Sequence, residues 1–204
     1  MPTTRQVMTV KKPNETIVMI PTLGKLTAAA RKILNVILHA TQSQARAIES
    51  SGAEVSAKHL FKARLSAIVE SAAPSGSDLR TAGKRYLKEM ADVRVDWESP
   101  DDSTGVVWRN MGLLSEVEIV VEGGLAYVRW ALPPSLLGAV LDPKRFTLLD
   151  IEEISKLKSY PSVALYEICA RYKNNPSGVT SCNEPQWWAD ALTGSPKIDK
   201  KTGS

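Results

Sequence analysis

Beyond Ala91 the spacing of apolar residues changes from about 3.6 to 2, and this change limits the available folds more than any other feature of the chain. Val93, Val95 and Trp97 alternate with Arg94 and Asp96. After the polar stretch ESPDDSTG, Val117, Ile119 and Val121 alternate with Glu116, Glu118 and Val120. Glu122-Gly123-Gly124 supplies the positive-φ residues of a tight hairpin, and Ala126, Val128, Trp130 and Leu132 share one side of the return strand. The pattern predicts a three-stranded antiparallel sheet with one wet face.

Upstream the period is helical. Thr27 is a good N-cap for a helix that buries Ala30, Ile33, Leu34, Ile37 and Leu38. Ser56 begins a second helical pattern, AKHLFKARLSAIVESA, with Leu60, Phe61, Leu65, Ile68 and Val69 inward. A break at residues 73–77 precedes a third helix, started by Ser77 with Asp78 at its positive end. Before all of these, residues 1–25 read as an N-terminal extended segment around TIVMIP that turns at Gly24.

Beyond the hairpin, Pro133-Pro134 opens a short helix, PSLLGAVL. LLDIEEISKL and PSVALYEICARYKN predict two more, and NEPQWWADALTG a last one ending at Gly194. Trp187 and Trp188 are adjacent there and cannot both point inward. Helix, link, helix, turn, helix, strand, loop and strand is the plan of a winged helix, with the third helix in the recognition position and the hairpin as the wing. The expectation is an α+β winged-helix domain over residues 26–194, with additional C-terminal helices. Residues 195–204 read as a polar tail or the start of a linker.

A content of 43% hydrophobic and 24% charged residues supports a packed core. No apolar run approaches the roughly 18 residues of a membrane span, and the polar N-terminus lacks the apolar stretch of a secretory signal. A cytoplasmic protein without membrane contact is expected. Cys169 and Cys182 have no neighbour at metal-ligand spacing, and Cys169 lies in an apolar helical pattern that predicts a buried thiol.

Catalytic signatures are missing as well. The chain has no GxxxxGK[ST], GxSxG or HExxH. His39 and His59 are far apart in sequence and read as surface or satisfied side chains, and Asp101-Asp102 and Glu152-Glu153 as solvated charge. No enzymatic activity, metal or cofactor is expected.

The net charge of +4 is unevenly distributed. Residues 1–92 carry 14 Lys and Arg against 7 Asp and Glu, whereas residues 93–204 carry 12 against 15. Within the basic half, SDLRTAGKRYLKEM sets Arg80, Lys84 and Lys88 at i, i+4 and i+8, with Arg85 beside them. Leu79, Ala82, Gly83, Tyr86, Leu87 and Met90 fill the other side, and Glu89 is the sole exception to the separation. A solvated face ordinarily mixes both signs to gain i,i+4 pairs. A single-sign stripe is the footprint of phosphate contact. Lys58 and Lys62, on the second predicted helix, are supporting candidates.

RFTLLDIEEISKLKSYPSVALYEICARYKN, with Leu-Lys-Ser-Tyr, then Leu-Tyr-Glu, then Arg-Tyr-Lys, resembles the iteron-binding plasmid replication initiators. So do LTAAARKILNVIL, the passage from RYLKEM to VRVDW, and VRWALPPSLLGAV, which together cover about residues 25–194. The resemblance implies the first of two tandem winged-helix domains. It implies binding of double-stranded plasmid origin DNA at direct repeats, repression of the initiator's own gene as a homodimer, and host replication proteins as further partners. Dimerisation is expected through a sheet edge within residues 113–132. The second domain of such initiators has no counterpart in the sequence. Two rivals stand beside this reading: a winged-helix transcription repressor, which uses the same DNA physics, and a dimerisation module whose basic stripe is only solvated.

Overall fold

The computed structural model describes residues 8–73, 78–97 and 108–196. Ser77, the Asp101-Asp102 pair and the tail beyond Pro196 lie outside them.

Helix α1 (Ala28–Ser50) is the axis of the fold. The Thr27 hydroxyl accepts from the Ala30 N–H, as the N-cap expectation requires. Its predicted apolar face is buried, but so are Arg31, Asn35, Thr41 and Gln42. The helix is therefore enclosed on several sides.

One side carries the winged helix. Strand β3 (Phe61–Arg64), helix α2 (Leu65–Val69), helix α3 (Leu79–Asp92) and strands β6 (Glu116–Glu122) and β7 (Leu125–Ala131) follow α1, and the sheet order is β3-β7-β6. All pairings are antiparallel, with Phe61 opposite Trp130 and Glu122 opposite Leu125. Phe61 and Trp130 stack with ring centroids 6.0 Å apart, and the Trp130 indole N–H donates to Thr41 Oγ1. Gly123 and Gly124 make the wing turn at φ +57° and +79°.

Three predicted elements change character. The second predicted helix is a strand running into a five-residue helix. Phe61, Leu65, Ile68 and Val69 fit a helical period and are all buried, but Phe61 is buried by β7 rather than by a helical neighbour. Lys58 therefore sits in a turn and Lys62 on a strand. Strand β4 (Arg94–Trp97) does not join the wing sheet. It lies between β2 (Ile20–Leu23) and β5 (Arg109–Gly112) in a separate three-stranded sheet, because periodicity identifies a strand but not its partner. Finally, LLDIEEISKL splits at Asp150. Strand β8 (Phe146–Asp150) pairs with β1 (Thr9–Pro13), and Asp150 then caps α5 (Ile151–Lys156) by accepting from the Glu153 N–H.

Helices α4 (Pro134–Leu141), α6 (Tyr160–Tyr172) and α7 (Pro185–Ala191) complete the fold. Cys169 is exposed on α6, contrary to the buried thiol expected, because Val163, Ala164, Glu167 and Ile168 form the inward stripe of that helix. Trp187 and Trp188 are both half-buried, packed edge to face at 5.0 Å. Gly194, at φ +64°, accepts the Leu26 N–H through its carbonyl. A Cβ there would stand 2.4 Å from the Leu26 carbonyl oxygen. Gly194→Ala is expected to lower stability by more than about 1 kcal/mol, from positive φ and backbone collision together; urea unfolding measures it.

The centre of the molecule is ionic. Glu167 of α6 receives Lys12 Nζ at 2.8 Å and Arg31 Nη2 at 2.7 Å, and all three side chains are fully buried. Asn35 Nδ2 donates to the other carboxylate oxygen at 2.7 Å. Arg31 Nε donates to Glu167 as well, and the other Arg31 donors reach the Tyr160 hydroxyl and the Ile17 carbonyl. Burial works against the Glu167 carboxylate, but Arg31 and Lys12 outweigh it and hold its pKa below the usual range. With two cations on one anion, burial wins at Lys12, whose pKa is lowered to about 8 against the pull of Glu167.

A lysine in the unfolded chain titrates near 10.4. Between about 8 and that value the unfolded state binds more protons, so stability rises with pH across this interval. Burial raises the Tyr160 pKa above its ordinary 10.0, which opposes the gain beyond about pH 10. Denaturant unfolding is expected to show stability increasing from pH 8 to pH 10 by up to about 1.4 kcal/mol per unit. Lys12→Met should remove that rise.

Candidate nucleic-acid interface

Helix α3 is built to present one side. Asp78 is its N-cap, one residue after the predicted Ser77, and accepts from the N–H groups of Arg80 and Thr81 and from the Thr81 hydroxyl at 2.6 Å. These hydrogen bonds, the Thr81 hydroxyl first, hold the Asp78 carboxyl below its ordinary pKa. On the inner side Ala82, Gly83, Tyr86, Leu87 and Met90 are buried. A Cβ on Gly83 would lie 2.8 Å from Leu65 Cδ1, so glycine permits the close approach of α2.

Arg80, Lys84, Arg85 and Lys88 are all exposed on the outer side, as predicted. Their surroundings differ. Lys88 pairs with Asp92 at 2.7 Å. Arg85 lies over the Tyr86 ring and donates to its hydroxyl. Among the described residues, the side chains of Arg80 and Lys84 make no ion pair or hydrogen bond. Glu89, which broke the sequence pattern, faces inward and accepts the Thr27 N–H at the start of α1. It belongs to the helix junction rather than to the outer face.

The two supporting candidates lie elsewhere. Lys58 is exposed in its turn. Lys62 pairs with Glu122 on the wing and stands 4.6 Å from the Tyr127 ring centroid. Arg129 joins this ladder through Glu118 and Glu122 at 3.0 and 2.8 Å. Such surface pairs contribute at most about 1 kcal/mol each, but they neutralise this part of the wing. The sequence reading overlooked Arg64. It is exposed at the end of β3, and the Lys-Ala-Arg alternation at residues 62–64 would have indicated it once β3 was taken as a strand.

Strand β6 is an outer strand of the wing sheet and β5 of the second sheet. Val117 and Ile119 are half-buried and Val121 is 55% exposed, so the face expected to be core thins out where the wing projects. Trp108, before β5, is 70% exposed, with its indole N–H donating to Asp96. Among the described residues no His, Cys, Asp and Glu cluster could hold a metal ion, and no helix is long and apolar enough to cross a membrane.

The family model for the initiator replication protein WH1 domain matches residues 9–170. The chain belongs to this family. The match runs from β1 nearly to the end of α6 and so includes the recognition-position helix, the wing and the ionic centre. Solved structures similar to this chain include the WH1 domain of MSBI1.176, a replication protein isolated from a multiple sclerosis patient. The identity is 14% and the TM-score 0.34, covering 64% of this chain and 86% of that one. No curated protein matches the chain.

Glu89 and Asp92, the two acidic residues in the C-terminal half of α3, should behave differently on substitution. Glu89→Ala leaves the Thr27 N–H without its partner and is expected to lower stability by about 1 kcal/mol. Asp92→Asn only releases a surface lysine and should stay within about 0.5 kcal/mol of the parent. Urea titrations of both variants test the assignment.

Proposed function

We propose that this WH1 domain binds double-stranded plasmid origin DNA at its iterons through the outer face of α3, and that it self-associates as a homodimer through the β6 edge. In this reading the initiator acts in the cytoplasm, represses its own gene as a dimer and engages host replication proteins, which carry out the chemistry. The domain itself is not catalytic. The observation that carries the proposal is the charge accounting on α3. Asp78 is engaged as a cap and offsets part of the Arg80 charge, Glu89 faces inward, and Asp92 offsets only Lys88. Arg80 and Lys84 remain as exposed cations, on the helix that a winged-helix order places at the groove.

Fluorescence anisotropy with a labelled duplex spanning the replicon's direct repeats, over a series of salt concentrations, tests this. Binding with a steep negative salt slope is expected, because each neutralised phosphate contributes about −0.9 to the slope. Arg80→Ala with Lys84→Ala should make the slope shallower by at least about 1 and weaken binding at every salt concentration. The reading fails if the duplex is not bound at low salt, or if the double variant binds as the parent does.

A further inference from the structure

A crevice runs between the wing turn and the start of α3. Arg64, Ser66, Arg80, Gly124 and Leu125 line it, together with Asp78. Arg64 comes from the last position of β3, opposite Tyr127. Arg80 comes from the first turn of α3. Two guanidinium-bearing residues from separate elements thus border one recess.

Across the wing sheet, charge compensation stops at Arg64. Its neighbours Lys62 and Arg129 are matched by Glu122 and Glu118. Among the described residues, Arg64 makes no ion pair or side-chain hydrogen bond. The acid of the crevice, Asp78, is already occupied by three donors from α3. Two guanidinium groups against the single Asp78 carboxylate, which acts on Arg80 through space, leave the recess with a net positive charge that an incoming anion would meet.

The wing tip is also open. The positions that Cβ atoms would take on Gly123 and Gly124 have no heavy atom within 4 Å. A backbone without side chains lets a ligand approach the turn closely. Guanidinium groups suit a phosphodiester because their N–H donors form a planar fork.

We infer that Arg64 and Arg80 together hold one phosphate of duplex DNA in this crevice, fixing the wing against the recognition-position helix. The inference rests on the DNA-binding reading of α3 and adds a seat that the basic stripe does not include. The seat takes phosphate and not base, so it sets the register of the domain on the duplex without reading sequence.

The test compares Arg64→Ala, Arg80→Ala, the double variant and Arg64→Lys by anisotropy on a mixed-sequence duplex and on a single strand of equal length. Lys84→Ala serves as a separate reporter of the α3 face. Arg64→Ala and Arg80→Ala should each weaken duplex binding roughly tenfold, and the double variant should lose less than the product of the two. The salt slope should become shallower by about one, and not two, in the double variant, because one phosphate serves both residues. Arg64→Lys should recover only part of the loss, since the charge remains but the fork does not.

The proposal is overturned if Arg64→Ala binds the duplex normally while Lys84→Ala weakens it, an outcome that leaves the α3 reading intact. It is also overturned if the two losses multiply and the slope falls by about two, which indicates separate phosphates. Equal losses on duplex and single strand would remove the commitment to duplex DNA. Absence of binding by the parent protein would remove the α3 reading and the seat together. Unchanged urea midpoints in all variants, expected for exposed side chains, exclude unfolding as the cause.

Discussion

The buried carboxylate of Glu167 is the constraint on which the arrangement of layers depends. It accepts from Lys12 on β1 and from Arg31 and Asn35 on α1, while it is itself carried by α6. Three elements distant in sequence are thereby fixed to one pair of oxygen atoms. A hydrophobic contact could hold them as firmly, but it would tolerate sliding. Charge-assisted hydrogen bonds of defined direction do not. Removing Glu167 would leave two buried cations, a loss of several kcal/mol. Arg31 also donates to the Ile17 carbonyl, which ties in the segment between β1 and β2. The winged helix on the other side of α1 therefore rests on an axis already held by the ends of the chain.

Two of the motifs that carried the family resemblance meet in this cluster. LTAAARKILNVIL contains Arg31 and Asn35, and the Leu-Tyr-Glu passage contains Glu167. In the sequence they are a polar interruption in an apolar helix and an acid on another helix. Nothing local joins them, so the ionic centre itself was not legible. The helical and alternating periods were legible, because burial on one side imposes them. Partners were not. RVDW reads as a strand, but its neighbours are IPTL, far upstream, and RNMG, which lacks clear alternation. Phe61 misled for a related reason, since a buried aromatic at a strand-to-helix junction satisfies both periods at once.

On the candidate interface, the basic stripe was legible residue by residue and its electrostatics were not. Four cations looked equivalent on the helical wheel. Tertiary structure distinguishes them through groups that the wheel does not show. Asp92 follows at the end of the helix and neutralises Lys88, while Tyr86 supports Arg85 from within the helix. Glu89 appeared to spoil the stripe, yet its carboxylate is committed to the first turn of α1. Asp78 draws on Arg80 at one end of α3 and Asp92 on Lys88 at the other, so the positive charge is least offset in the middle of the helix, at Lys84 and Arg85.

The same economy governs the strand edges. An unpaired edge is a template for another chain unless something covers it. Helix α1 covers two. Gln42 exchanges hydrogen bonds with both the N–H and the carbonyl of Lys11 on β1, and His39 donates to the Thr9 carbonyl on the same edge. Two residues further along, Gln44 accepts the Lys62 N–H on the outer edge of β3. Glutamines two positions apart point to different sides of a helix, and here each side meets a different sheet. No comparable side chain reaches the outer edge of β6 among the described residues, although β6 is a seven-residue strand with Val121 exposed. A fold that closes the edges of β1 and β3 and leaves its long wing edge open has a surface suited to pairing with a second copy. For that reason the proposed self-association is assigned to β6 rather than to the apolar face of the same strand.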